Sequence, residues 1–276
     1  ILDLYPRKSK YGHAAAFNIN ENGVKVIALV CNFPEPSTNT PSLLSLEEVE
    51  TLYHEFGHAT HFMLADTIYS EHNGFHVAWD FVEAPSQMLE EWVYDEDQLK
   101  ALGLHYINGS HMDDKMIKNI IASKKFMSGR HWMRQITLSQ MDIDLHLGKN
   151  IIDGKAVPTN KYYESLVKKN LLADISPKNL FPASFGHLDG YDAGYYSYIW
   201  AKVYALDFYS KFSKARNLDK KGDGNRMRDG SHASEQEIGL RYRREVLGVG
   251  SSRDESVSAR AFLGRPMNDK AFVKSL

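Results

Sequence analysis

The pentad His54-Glu55-Phe56-Gly57-His58 constrains this chain more than any other feature of its 276 residues. On an α-helix, positions i and i+4 share a face one turn apart, so the two imidazoles converge. The flanking residues predict such a helix. Ser45 is the expected N-cap, Glu48 its capping-box partner, and Val49, Leu52, Tyr53, Phe56 and Met63 are apolar positions of a helix over about 46–66. Two imidazoles on one face can share a Zn²⁺. Glu55, beside that face, can reach a water on the metal without ligating it. From composition alone, roughly three chains in a hundred contain such a pentad by chance, so it needs support from elsewhere.

Catalytic zinc keeps three protein ligands and one open position. A motif extended by Gly and a third His is excluded, because His61 and Leu64 stand at those positions. A glutamate from a following helix is the alternative. Glu83 lies 25 residues after His58, in Asp80-Phe81-Val82-Glu83-Ala84-Pro85-Ser86-Gln87. Glu71 competes on spacing but falls in an apparent loop. Glu90 and Glu91 compete from the same helix as Glu83 and read as a solvated face. Glu50, one turn before His54, is the expected acceptor for that ring's other N–H, and Asp80, one turn before Glu83, is a further candidate for orienting the ligands. His13, His61, His76 and His105 lack paired spacing and read as structural or exposed.

Strands are expected at 13–19 and 24–33, joined by a type I′ turn at Asn22-Gly23. Further helices are expected near 80–97, 159–172, 192–214 and 235–247. A periodic stretch over 113–148 ends at Gly148. The expectation is a mainly α (α+β) fold forming one domain over 1–276, with a solvated, charged loop at 214–234. With 43% apolar and 25% charged residues the chain can bury a core, and a net charge of −2 gives no case for nucleic acid or anionic membrane. No apolar run is long enough to span a bilayer. The single cysteine, Cys31, lies in an apolar run and reads as a core residue of a protein from a reducing compartment. The apolar opening at Ile1 reads as the start of a fragment.

Five stretches together resemble the thimet oligopeptidase, neurolysin and saccharolysin family of zinc metallopeptidases. They are Asp3 to Arg7 with Lys10 to Ala15; Glu48 to His58; Asp80 to Gln87; Phe185-Gly186-His187-Leu188; and Tyr191 to Tyr198. The resemblance implies a helical zincin-type catalytic domain, with a small sheet beside the active-site helix. It implies one Zn²⁺ per chain, held by His54, His58 and Glu83. Glu55 would be the general base in hydrolysis of internal bonds of short peptides. Tyr195 and Tyr198, three apart on an expected helix, are the candidate donors to the oxyanion, and His187 is the candidate to hold the substrate backbone; all three match positions that face the substrate. An aromatic core stripe is the other reading of the tyrosines.

The resemblance further implies a chain of roughly twice this length, whose N-terminal half completes a channel, and a monomer of the cytoplasm, with mitochondria as the alternative site. Two features depart from the pattern: the loop Leu188-Asp189-Gly190-Tyr191 lacks a second glycine, and Trp79 stands where the family commonly has a basic residue. The competing function is an inactive fragment that binds peptides or a protein partner.

Overall fold

The computed structural model describes residues 1–176, 178–220 and 234–276, without side-chain detail at 218–220. The described chain divides into two compact units. One comprises Ile1–Lys124 with Ala201–Ser275, the other Lys125–Trp200 with Leu276.

The first unit opens with a three-stranded sheet. Strands β1 (Leu2–Asp3), β2 (Ala15–Asn20) and β3 (Val26–Val30) are ordered β1-β3-β2, with β3 parallel to β1 and antiparallel to β2. The β2–β3 connection differs from the expected two-residue turn. Asn20 pairs with Val26, only Gly23 has positive φ (73°), and the Asn20 amide spans the loop by donating to the carbonyls of Asn22 and Val24. A type I′ turn needs positive φ at both central residues, and Asn22 does not supply it.

Helix α1 (Leu46–Leu64) follows. Its capping box forms as the sequence predicts: Glu48 N–H donates to Ser45 Oγ at 3.2 Å, and Ser45 N–H donates to Glu48 Oε2 at 2.7 Å. The helix lies on the sheet through Ala59 and Phe62, which pack with Ile27 and Leu29. Cys31 is fully buried, as expected for a core residue.

The helix expected over 80–97 is two helices, α2 (Glu83–Val93) and α3 (Glu96–Leu102). They part at Asp95, whose carboxylate caps α3 by accepting the amides of Asp97 and Gln98. The periodic stretch 113–148 also divides, into α4 (Asp114–Ser123) and α5 (Ser128–His146), around Met127 in the left-handed region at φ 57°. Helix α4 belongs to the first unit and α5 to the second.

In the second unit, α5 is followed by a small hairpin of β4 (Ile151–Ile152) and β5 (Lys155–Ala156), turned by Asp153-Gly154 with both residues at positive φ. This second sheet is an element beyond the single sheet expected. Helix α6 (Thr159–Leu171) packs Tyr162, Tyr163, Leu166 and Val167 against Leu138 and Met141 of α5. A short α7 (Phe181–Ser184) leads into the turn before α8 (Ser197–Lys220).

Most of α8 returns the chain to the first unit. There Ala201, Ala205, Phe208 and Phe212 pack with α2, α9 (Glu235–Tyr242) and α10 (Glu255–Leu263) in the largest apolar cluster. A π-helical turn at Arg243–Leu247 joins α9 to that core, and α11 (Lys270–Ser275) ends the unit. Helix α8 runs to Lys220, so the first part of the segment expected to be loop is helical, and residues 221–233 lie outside the described residues. No helix among the described residues is long and apolar enough to cross a membrane.

Candidate metal centre

Helices α1 and α2 approach at Gly57. A Cβ there would stand 2.3 Å from the Cα of Ser86 and 2.8 Å from the carbonyl oxygen of Pro85, so only glycine permits this spacing. The small residues of Ala84-Pro85-Ser86 form the facing surface and are buried. This close approach puts the first residue of α2, Glu83, against the histidine face of α1. Glu83 Oε2 lies 3.2 Å from His54 Nε2 and 3.2 Å from His58 Nε2.

Among the described residues, His54, His58 and Glu83 form the one group of three or more such side chains whose ligand atoms lie mutually within 4.8 Å. Two imidazole nitrogens and a carboxylate are a donor set of catalytic zinc, so these residues fit the metal the sequence implies. Glu71 lies instead in an exposed 3₁₀ turn, Ser70–His72. His61 is buried with neither ring nitrogen hydrogen-bonded, and burial pushes its pKa down to about 3, so it is a neutral core residue.

The support around the ligands differs from the sequence expectation. The partner of His54 is Glu90, not Glu50: His54 Nδ1 and Glu90 Oε1 are 2.7 Å apart. A neutral ring that donates Nδ1–H to Glu90 has its Nε2 lone pair free for a metal. Glu50 instead accepts from Tyr94 Oη at 2.9 Å.

Glu90 and Glu91, expected on a solvated face, sit in a buried charge network. Lys202 of α8 donates to Glu90 at 2.6 Å and lies 3.0 Å from Glu91, which also accepts from Lys124 at 2.6 Å. Ser86 Oγ donates to Glu83 Oε2 at 2.9 Å.

The electrostatics follow from this crowding. Burial opposes ionisation of Glu90, but Lys202 and the bond to His54 outweigh it and lower its pKa to about 2. Burial also opposes a charge on His54, yet Glu83 and Glu90 flank both ring nitrogens and raise its pKa well above the usual value. Burial works against the Glu83 carboxylate too, and the two histidines hold its pKa well below normal. A positive charge is therefore favoured between these atoms, whether proton or divalent cation. Glu55 is 5% exposed, and its Oε2 has no hydrogen-bond partner among the described residues. Burial, with the charge of Glu83, raises its pKa, while His54 and His58 act against that shift.

The remaining candidates belong to the second unit. His187 lies in a 3₁₀ turn, Gly186–Leu188. Its ring centroid is 5.1 Å from Tyr195 and 5.6 Å from Tyr198, and Tyr191 stacks on Tyr198 at 5.2 Å. The three residues named from sequence thus share one aromatic cluster. Tyr195 precedes α8 rather than lying on it, is 8% exposed, and donates its hydroxyl to Gln135 at 2.8 Å. Tyr198 is half-buried in the first turn of α8.

Glu90 was legible in one respect. It lies seven positions after Glu83, two helical turns on and so on the same face. Lys202 had no comparable signal, being 112 residues from Glu90 in sequence.

Residues 1–276 match the family model described as Peptidase family M3. The chain is 34% identical to saccharolysin of Saccharomyces cerevisiae, with 100% of this chain and 38% of that protein covered. It is 34% identical to a thimet-like oligopeptidase of Dictyostelium discoideum, with 100% and 40% covered. It therefore spans about two-fifths of the length of these relatives. Two solved structures show the same fold at low identity. PZ peptidase A with inhibitor 2 has a TM-score of 0.64 at 15% identity, covering 99% of this chain and 42% of that one. Trypanosoma cruzi metallocarboxypeptidase 1 has a TM-score of 0.67 at 13% identity, covering 99% and 55%. A family match running from Ile1 to Leu276, over helices that bring His54, His58 and Glu83 together, identifies the chain as a member of Peptidase family M3.

Proposed function

We propose that this chain carries the catalytic centre of a zinc oligopeptidase, which hydrolyses internal bonds of short peptides. The observation that carries this reading is the convergence of His54 Nε2, His58 Nε2 and Glu83 Oε2, with Glu55 on the same helix, its Oε2 without a hydrogen-bond partner among the described residues. Zinc held by such a set supplies Lewis acidity and an acidified water. The names of the relatives, saccharolysin and thimet-like oligopeptidase, support a peptide as substrate.

In this reading Glu55 accepts the proton of the attacking water and delivers it to the leaving amine. Glu83 is held by Ser86, and His54 by Glu90, so two ligands enter the reaction already oriented. By the family resemblance, Tyr198 would donate to the charge that develops on the scissile carbonyl, and His187 would hold the substrate backbone. Tyr195, its hydroxyl engaged by Gln135, anchors their segment.

The test combines bound zinc with cleavage of a short quenched-fluorescent peptide, comparing the parent with Glu55→Gln. Both should hold about one zinc. Turnover should fall by roughly 10²–10⁴ in the variant, the usual contribution of a positioned base. A folded protein that takes up no zinc, or a variant that cleaves as fast as the parent, would overturn the reading.

A further inference from the structure

The turn that carries Tyr191, Tyr195 and Tyr198 does not hold its shape by local rules alone. Ala193 sits at φ 56°, where a Cβ is disfavoured, and Gly190 sits at φ 99°. The backbone N–H groups of Ala193 and Tyr195 lie in this turn, ahead of Ser197, the first residue of α8.

Helix α5 supplies acceptors for both. Asp142 Oδ1 accepts the Ala193 amide at 3.0 Å, and its Oδ2 accepts the Tyr195 amide at 2.9 Å. Asp142 is 0% exposed. His146, one helical turn on, brings Nδ1 to 3.0 Å from Asp142 Oδ1 and 2.8 Å from the Asp142 carbonyl. The carboxylate reaches the turn from 51 residues away in sequence, and amide bonds to a charged acceptor are the stronger kind. Gln135, two turns earlier on α5, accepts the Tyr195 hydroxyl. One helix therefore grips Tyr195 by its backbone and by its side chain.

We propose that Asp142 is a positioning residue for peptide hydrolysis: by taking the Ala193 and Tyr195 amides, its carboxylate sets the turn that orients Tyr198 and His187 towards substrate. This rests on the roles given above to Tyr198 and His187. It assigns Asp142 no contact with the substrate. An amide in its place keeps one acceptor but turns a donor towards the second N–H, so Asp142→Asn should release one of the two bonds.

The experiment uses the protein as it is naturally made, with Asp142→Asn, Tyr198→Phe and the double variant. Residue-resolved hydrogen exchange should show the Ala193 and Tyr195 amides exchanging at least tenfold faster in Asp142→Asn, with zinc content unchanged. Cleavage of a quenched-fluorescent peptide should lose roughly 10–100-fold in kcat with a smaller change in KM, as for a displaced catalytic group. In the Asp142→Asn background, Tyr198→Phe should add less than about threefold, because the two changes remove one function.

Unchanged exchange at both amides, or fully additive losses, would overturn the proposal. If Tyr198→Phe alone leaves kcat unchanged, the role of Tyr198 fails, and with it the effect of Asp142 on rate. Exchange at the two amides then still decides whether Asp142 holds the turn. If Asp142→Asn does not fold, His146→Ala replaces it. That side chain is 33% exposed and braces Asp142 without touching the turn amides, and the same pattern should appear at smaller amplitude.

Discussion

The Cα of Ser86 lies so close to Gly57 that a Cβ on the glycine would sit 2.3 Å from it, and this approach brings Glu83 to the two histidines. The fourth residue of the His-Glu-Phe-Gly-His pentad is thus a packing requirement as much as a spacer.

Gly57→Ala should separate α1 from α2. The expected loss is about 1–3 kcal/mol of stability, as for other overpacked sites, with zinc affinity weakened more than tenfold as Glu83 recedes. Urea unfolding and zinc titration check the two effects. Unchanged zinc affinity would mean that the ligand geometry does not depend on this contact.

Glu90→Gln should weaken zinc binding by roughly 10–100-fold, the usual effect of removing the group that orients a ligating histidine. Glu50→Gln should change it by less than about twofold, since Glu50 bonds Tyr94 rather than His54. Competition titration with a chromophoric chelator measures both. The reverse order would restore Glu50 as the partner of His54.

Lys202→Met should destabilise the fold by about 3–5 kcal/mol, because Glu90 and Glu91 would keep buried charge without their shared cation. Chemical denaturation gives the value. A loss below about 1 kcal/mol would show that Lys124 and solvent suffice.

Acid should act through Glu90. Its pKa is lowered to about 2 in the folded chain from an ordinary value near 4.5, so the stabilisation is present above the unfolded value and lost as pH falls through the folded one. About 3 kcal/mol should disappear between about pH 5 and pH 2 in chelator-treated protein. Glu90→Gln should flatten that part of the stability curve, and an unchanged slope would place the acid sensitivity elsewhere.

Helix α1 was legible because its signals are local. Ser45 and Glu48 stand three positions apart, and His54 and His58 four, so helical geometry alone determines both relationships. Glu83 was reached through family resemblance, since spacing also admitted Glu71, Glu90 and Glu91.

What only the tertiary structure decided were the partners of those residues. Glu50 and Glu90 both fall within reach of His54 on paper. Glu50 is taken up by Tyr94, whereas Glu90 approaches from the facing helix. The division of 113–148 at Met127 and the hold of Asp142 on the Tyr195 turn are of the same kind. The sequence by itself determined the capped helix, the face its histidines share and the burial of Cys31, because each depends on neighbours within a turn or on a short apolar run. The charge network of Lys202, Glu90 and Glu91 depends on segments more than a hundred residues apart, and only packing brings them within hydrogen-bond reach.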